Sequence, residues 1–448
     1  MDTLKRALGV RDLVLLVIGC VVGSGIFLVP GAVLRESGGD VGVALLVWLV
    51  AGLLSLLGAL TYGELGAMHP EAGGLYIYVR DAFGRLPAFL YGWTLFFVLS
   101  TGAVATLAVA FSSYLGQLVP LGPVTAKLVS VAMIAGVAAI NVAGTRKSVS
   151  VQNWTTSLKA GAVVVMSLVL IALGQHTTLS DHLWPARVSL SLFSGVGIAM
   201  IAVLWAYEGW QYVTFSVGET REAQSTFPRG IAIGTTATIV IYVLANVAYF
   251  VALGPEAAAT SSTIAADAVS AVVGPGASKV IAAVILMSIV SAANGFTLTS
   301  TRVYFAMARD GLFFRSVATI HPRFMTPVLA IVLSSAWAAV LALSGTFEQL
   351  LTYVVYVGWI FYGLGALTIF YYRSRHPAAP RPFRVPWYPV TPALFVMAAA
   401  AIVLNTTVSQ PWQALVGVAV VLTGLPAFYV WEARGRNVAG AARSTGPE

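Results

Sequence analysis

The stretch VVGSGIF, residues 21–27, sits inside the first long apolar run of the sequence and is a poor filling for a helix. Gly23 and Gly25 flank Ser24, and each glycine costs a helix about 1 kcal/mol relative to alanine. Two explanations compete: close packing of helices through small residues, or an unwound segment in mid-bilayer. Taken alone, the stretch leaves both open.

The surrounding chain settles the fold class. Of its 448 residues 58% are hydrophobic and 9% charged, as in a polytopic all-α membrane protein. A span needs roughly 20 apolar residues. Twelve runs of that order are predicted, at 12–34, 41–68, 86–117, 123–143, 150–173, 191–217, 228–253, 275–309, 327–344, 347–372, 389–405 and 411–432. The net charge of +8 is spread over short loops rather than gathered on one face, which argues against nucleic acid. Arg35, Lys127, Arg187 and Lys279 fall on one side, Lys159 falls within a span, and the rest of the 25 Lys and Arg share the side of the termini. The positive-inside rule then predicts a multi-pass protein of the cell inner (plasma) membrane with both termini in the cytoplasm.

Lys5, Arg6 and Arg11 ahead of an apolar run resemble a secretory leader, but no cleavage site followed by a polar chain appears. The only cysteine, Cys20, lies in the first run, so no disulfide framework is expected and the redox compartment stays open. Five histidines lie outside the deep spans, and no H-E-x-x-H, paired-carboxylate or GxGxxG pattern occurs. Neither an enzyme nor a metal or cofactor is expected.

A second irregular centre shifts the balance at VVGSGIF. Span 6 reads IAVLWAYEGWQYVTF, residues 201–215, with Glu208 and Gly209 at mid-depth. Spans 1 and 6 are an odd number of spans apart, so they cross in opposite directions, as an inverted repeat of five plus five helices requires. If both break, span 1 presents free amides near Ser24 and Gly25, and span 6 presents free carbonyls near Trp205. Amides at a positive helix end suit a carboxylate; carbonyls at a negative end suit an ammonium. Together they describe a receptor for a zwitterion.

Lys159, in VQNWTTSLKAGAVVV (151–165), stands about 15 Å into span 5, too deep to snorkel comfortably. Charges at that depth are costly and functional by default. Lys159 is either a fixed cation where sodium would otherwise sit or a proton carrier. Glu208 either braces a charge or the break, or selects cationic substrates; Glu64, near the end of span 2, reads as a gate or loop contact. Phe27, Trp205, Tyr207, Trp210 and Tyr304 are candidate pocket aromatics.

Several stretches, in order, resemble the amino acid–polyamine–organocation (APC) superfamily, most closely its L-type amino acid transporter group and bacterial relatives. They are VGSGIF (22–27), YGELGAMHPEAGGLYIYVRDAFG (62–84), AYEGWQYVTFSVGETREAQSTFPRGI (206–231), STRVYFAMARDG (300–311) and PFRVPWYP (382–389). The resemblance implies a LeuT-like fold with broken helices 1 and 6. One five-helix repeat with its tail would cover 1–173, the second 174–372, two further helices 373–432 and a cytoplasmic tail 433–448, whose end is expected to be disordered. It implies that Ser24 and Gly25 bind the substrate carboxylate, that carbonyls of Val21, Trp205 and Glu208 take the amine, and that Trp205 gates the site. Gly23, Ile26, Tyr207 and Gly209 complete the expected lining. Lys159 matches the lysine that fills the second sodium site of sodium-independent members, with neighbours near Gly23 and around Asn294. The implied function is sodium-independent exchange of neutral L-amino acids by alternating access, with cationic ones left open; proton symport through Lys159 is the alternative, and a channel or sensor a remote one. Relatives with a heavy chain join it through a cysteine between spans 3 and 4; here LVPLGPV (118–124) has none, so no disulfide-linked partner is expected.

Overall fold

The computed structural model describes residues 6–174, 183–185, 187, 189–345 and 347–444; Lys5, His176 and His182 lie outside the described residues. The chain is nearly all helical. The first apolar run is in pieces: α1 (Val10–Val21), α2 (Gly25–Leu28) and α3 (Pro30–Glu36). There follow α4 (Val41–Met68), α5 (Leu75–Phe83), α6 (Arg85–Thr94), a π-helical turn (Leu95–Leu99), α7 (Ser100–Leu118), α8 (Pro123–Val142) and α9 (Thr145–Leu173). Next come α10 (Leu190–Ala206), a 3-10 helix (Trp210–Glu219), α11 (Ala223–Leu253), α12 (Pro255–Thr260), α13 (Ile264–Val273) and α14 (Pro275–Arg309). The chain closes with α15 (Val328–Ser344), α16 (Phe347–Arg375), α17 (Val390–Ser409) and α18 (Pro411–Ser444). Among the described residues, ten helical segments are long and apolar enough to cross a membrane, as in a polytopic membrane protein. Leu190, Phe193, Val124 and Val408 stand exposed on the outside of the bundle, the pattern of a surface solvated by lipid.

Proline sets several starts. Pro123, Pro275 and Pro411 open their helices at the position where a missing N–H costs nothing. Residues 254–274 form two short helices, α12 and α13, that pack on α3 and α14, because Ala258, Ile264, Ala265 and Ala268 have an apolar face to bury. One expectation is corrected. The tail expected to be disordered continues α18 as far as Ser444, in keeping with its alanines and arginines, which are good helix formers.

One end of the bundle is charged. Arg373 binds Glu64 with two hydrogen bonds, Nε to Oε1 at 2.9 Å and Nη2 to Oε2 at 2.7 Å, and the amide of Val385 donates to the same carboxylate at 2.7 Å. Glu64 is thus a loop anchor, as its position suggested. Arg302 reaches Glu219 at 2.6 Å, Arg80 reaches Asp310 at 2.8 Å, and Leu8 pairs with Thr220.

The two irregular centres meet in the middle of this bundle. Gly25 faces Ala206, where an added Cβ would lie 2.6 Å from the Ala206 Cα. Gly209 has φ +136°, a left-handed conformation that favours glycine, and its missing Cβ would fall 2.7 Å from the Cys20 carbonyl carbon. Packing and unwinding, the two rival explanations of VVGSGIF, therefore both hold. The glycines break the helices and also let the broken ends touch.

Gly25→Ala is expected to destabilise the protein by about 1–3 kcal/mol through overpacking against backbone. Gly161→Ala, at a helical site with nothing within 4 Å of the added Cβ, is the control and should be neutral or stabilising. Thermal unfolding in detergent of the two variants beside wild type checks this; equal midpoints for both would contradict the close contact.

Candidate functional site

Helix α1 ends at Val21 because Val22 leaves the helical region, with ψ at 84°. The chain then turns through Gly23 and Ser24 and becomes helical again at Gly25, with Ser24 as the N-cap. Such a break frees carbonyls on one side and amides on the other. The carbonyl side is answered by protein. Lys159 donates from Nζ to Gly19 O at 2.8 Å, to Val22 O at 2.6 Å and to Ser288 O at 3.3 Å. An ammonium has three N–H donors and no acceptor, so three carbonyls satisfy it completely. Ser288 Oγ adds a second bond to Val22 O at 2.9 Å.

The lysine therefore lies where the sequence placed it, against the broken backbone and the eighth-span helix α14. Its contact on α14 is Ser288 rather than Asn294, about two turns away. Asn294 instead accepts from Asn141 Nδ2 at 2.9 Å and donates to Gln152 Oε1 at 2.8 Å, joining a buried polar knot with Ser148 that ties α8 and α9 to α14. The side chain of Asn294 holds the helices on which Lys159 and Ser288 ride.

The amide side is different. Among the described residues no protein acceptor meets the amides of Ser24, Gly25 or Ile26. The Ser24 hydroxyl is buried and also lacks a partner. Buried polar groups are nearly always paired, so a cluster of unpaired donors marks a place kept for an acceptor.

Span 6 breaks as expected. Helix α10 stops at Ala206, Tyr207–Gly209 form the turn, and a 3-10 helix begins at Trp210. The amide of Glu208 closes on Trp205 O at 2.9 Å. Glu208 does not pair with Lys159. Its Oε1 accepts from Gln211 Nε2 and from the Tyr362 hydroxyl, while Gln211 Oε1 accepts the Gly209 amide at 3.2 Å. Carboxylate, amide and phenol together brace the turn.

A small cavity lies between the breaks, walled by Val21, Gly23, Ser24, Gly25, Trp205 and Glu208 with Cys20, Leu107, Ala206 and Phe296. It leaves room for about one water molecule. Six of the expected lining residues thus converge. Tyr207 turns away, its ring 5.0 Å from Tyr242 and 6.0 Å from Trp48; Gly209 sits behind the wall on Cys20, and Ile26 contributes its amide. Of the other candidate aromatics, Tyr304 donates to Leu95 O at 3.2 Å, and Trp210 packs on Tyr62 and Phe395.

Sequence reasoning missed Tyr242. Its hydroxyl lies 2.8 Å from Val21 O and 2.9 Å from Ala206 O, joining the two broken helices from α11. Val21 O also accepts the Gly23 amide at 2.8 Å, so a carbonyl expected to be free for an amine is already occupied by two donors. Leu107, Phe296 and Ser288 were likewise unmarked. Each is an ordinary residue in an apolar helix and carries no signal of its own.

Comparison with known proteins agrees with this geometry. A family model described as amino acid permease matches residues 8–425. The b(0,+)-type amino acid transporter 1 of Mus musculus is 29% identical, with 96% of this chain and 88% of the relative covered. The Asc-type amino acid transporter 1 of Homo sapiens is 31% identical over 95% of this chain and 82% of its own length. The serine/threonine exchanger SteT of Bacillus subtilis (strain 168) is 30% identical over 95% and 97%. With a family match over most of its length and relatives aligned from end to end, the chain belongs to the amino acid permease family.

Proposed function

We propose that the protein is a sodium-independent exchanger of neutral L-amino acids working by alternating access. The observation that carries this reading is the set of unpaired donors at Ser24, Gly25 and Ile26, facing a small cavity at the meeting of two helix breaks. A carboxylate is the acceptor that suits amides and a hydroxyl at a positive helix end. The carbonyl of Glu208 in the span 6 turn supplies the amine side, since that of Trp205 already accepts the amides of Tyr207 and Glu208, and the Trp205 ring closes over the ligand. The cavity as it stands is too small for any amino acid, so binding requires the broken helices to part. Relatives whose names state amino acid transport and serine/threonine exchange support the substrate class.

With the broken segment Val10–Glu36 and the 17-residue α15 counted beside the ten long spans, the chain makes twelve crossings. The first repeat runs through 1–173 and the inverted second through 174–372, followed by two further helices at 373–432 and a tail at 433–448. The charged end faces the cytoplasm of a plasma membrane, as the Lys and Arg bias requires. Cys20 is buried at 1% exposure beside Gly295 of α14, out of reach of a partner's thiol, so the transporter needs no disulfide-linked heavy chain.

Lys159 does the work of a bound cation. Three backbone carbonyls around one positive charge are what a sodium ion would use, and the ammonium takes that place. All three N–H groups are engaged, which favours a fixed cation over a proton carrier. The brace around Glu208 likewise favours a structural carboxylate over one that selects cationic side chains; competition by all twenty amino acids against labelled serine reads this, and strong inhibition by lysine or arginine would assign selection to Glu208.

Proteoliposomes decide the coupling. Uptake of labelled serine is expected only into vesicles preloaded with amino acid, and it should be indifferent to sodium and to a pH gradient. Gradient-driven uptake into empty vesicles would replace exchange by proton symport. Lys159→Ala should reduce exchange at least about tenfold, since it removes charge-assisted hydrogen bonds worth roughly 1.5–3 kcal/mol each, while size-exclusion profile and helicity stay as in wild type; wild-type rates would refute the role. Ser24→Ala should raise KM about fivefold, the value of roughly 1 kcal/mol for one neutral hydrogen bond. An unchanged KM would assign carboxylate binding to the amides alone.

A further inference from the structure

Away from the breaks, two apolar cavities of about 350 Å³ and 390 Å³ adjoin each other and share Trp93, Phe97 and Trp337. They lie between the third-span helix pair α6 and α7, α15 and α18, with α16 at the deep end. The π-helical turn Leu95–Leu99 shapes the wall. Its loosened carbonyls are each capped by a side chain: Tyr304 on Leu95 O at 3.2 Å, Thr101 on Phe96 O at 2.7 Å and Trp337 Nε1 on Phe97 O at 2.9 Å. Trp93 Nε1 is spent on Thr423 Oγ1 at 3.0 Å. The lining that remains is apolar apart from the Tyr353 hydroxyl.

The crevice opens sideways. Phe314 and Val340 line it, yet are 50% and 49% exposed. It begins at the charged end, beside Phe314 and Trp431, and runs inward to Leu350 and Val416. At its mouth Phe314 is followed by exposed Arg315, and Arg309 is exposed one loop earlier, against the carboxylates of Glu432, next to Trp431, and of Asp310, which Arg80 engages. We propose that this crevice holds one acyl chain of an anionic phospholipid, whose phosphate rests against Arg309 and Arg315. Four observations converge on that occupant: an opening toward the bilayer, a wall that is apolar but for the Tyr353 hydroxyl, a volume in the small-ligand class rather than that of a helix, and a basic rim. The site is placed to affect transport. Phe96 in its wall packs on Tyr304 of α14, the helix that carries Ser288, with ring centroids 5.1 Å apart.

Native mass spectrometry of the whole protein, released from mixed phosphatidylglycerol and phosphatidylcholine micelles, tests this. Wild type should retain one phosphatidylglycerol in preference to phosphatidylcholine. Ala336→Phe, which fills the exposed mouth, should reduce retention of both lipids severalfold, and Arg315→Gln should reduce the preference for phosphatidylglycerol. Equal retention in wild type and Ala336→Phe would overturn the proposal, as would a dimer that forms without lipid and is lost in that variant. Should Ala336→Phe fail to fold, phospholipids brominated along the acyl chain provide the second measurement on folded protein. They should quench wild-type tryptophan fluorescence more than a Trp93→Phe, Trp337→Phe variant, and an equal fractional quench in both would also overturn it.

Discussion

A polar backbone group in the middle of a bilayer must find a partner, and the architecture around VVGSGIF follows from that rule. Interrupting α1 releases the carbonyls of Gly19, Val21 and Val22. Each is met by a side chain from a different helix: Lys159 from α9, Tyr242 from α11 and Ser288 from α14. The break is thus a junction that ties three other helices to the first. The amides released on its far side have no such partner. That inequality, carbonyls satisfied by protein and amides left open, is the chemical signature of a site for an anionic group.

The second break solves the same problem by other means. Glu208, Gln211 and Tyr362 brace the turn, and the 3-10 helix after it keeps the remaining backbone engaged. Lys159 stands near the middle of α9 and Tyr362 near the middle of α16. Under an inverted repeat these are equivalent helices, so each repeat would steady the broken helix at its start with a side chain from its fifth. One support is a charge that answers bare carbonyls, the other a phenol that answers a carboxylate. The first can release its helix only by exposing charge; the second holds its turn through neutral donors.

Much of this was legible in the sequence because glycine and charge are conspicuous against an apolar background. Gly23, Gly25 and Gly209 located both breaks to within a residue or two, and Lys159 was identified by depth alone. What stayed hidden was what looks ordinary. Tyr242 is one of 17 tyrosines, and nothing along α11 singles it out. Ser288 could not be told from the other small residues of α14, and the resemblance pointed to Asn294 two turns away, where the helices are knotted together instead. The two helices within 254–274 were not legible either, because each is too short to announce itself by period. The π-helical turn in span 3 leaves no trace in composition, since its carbonyls are rescued by side chains far away in the chain.

The placement of Lys159 supplies a physical reason for the exchange proposed above. Two of its three acceptors, Gly19 O and Val22 O, belong to the broken first helix, and the third belongs to α14. Any motion that swings α1 away from α9 and α14 gives up two charge-assisted bonds, each worth roughly 1.5–3 kcal/mol, in surroundings where water cannot replace them. An empty protein has nothing to offset that loss. In the proposed binding mode, a ligand whose carboxylate binds Ser24 and Gly25 grips the same segment two residues beyond Val22 and contributes new bonds where the old ones strain. Movement between the two faces is then cheap only with cargo aboard, and a carrier that returns only when loaded exchanges one amino acid for another.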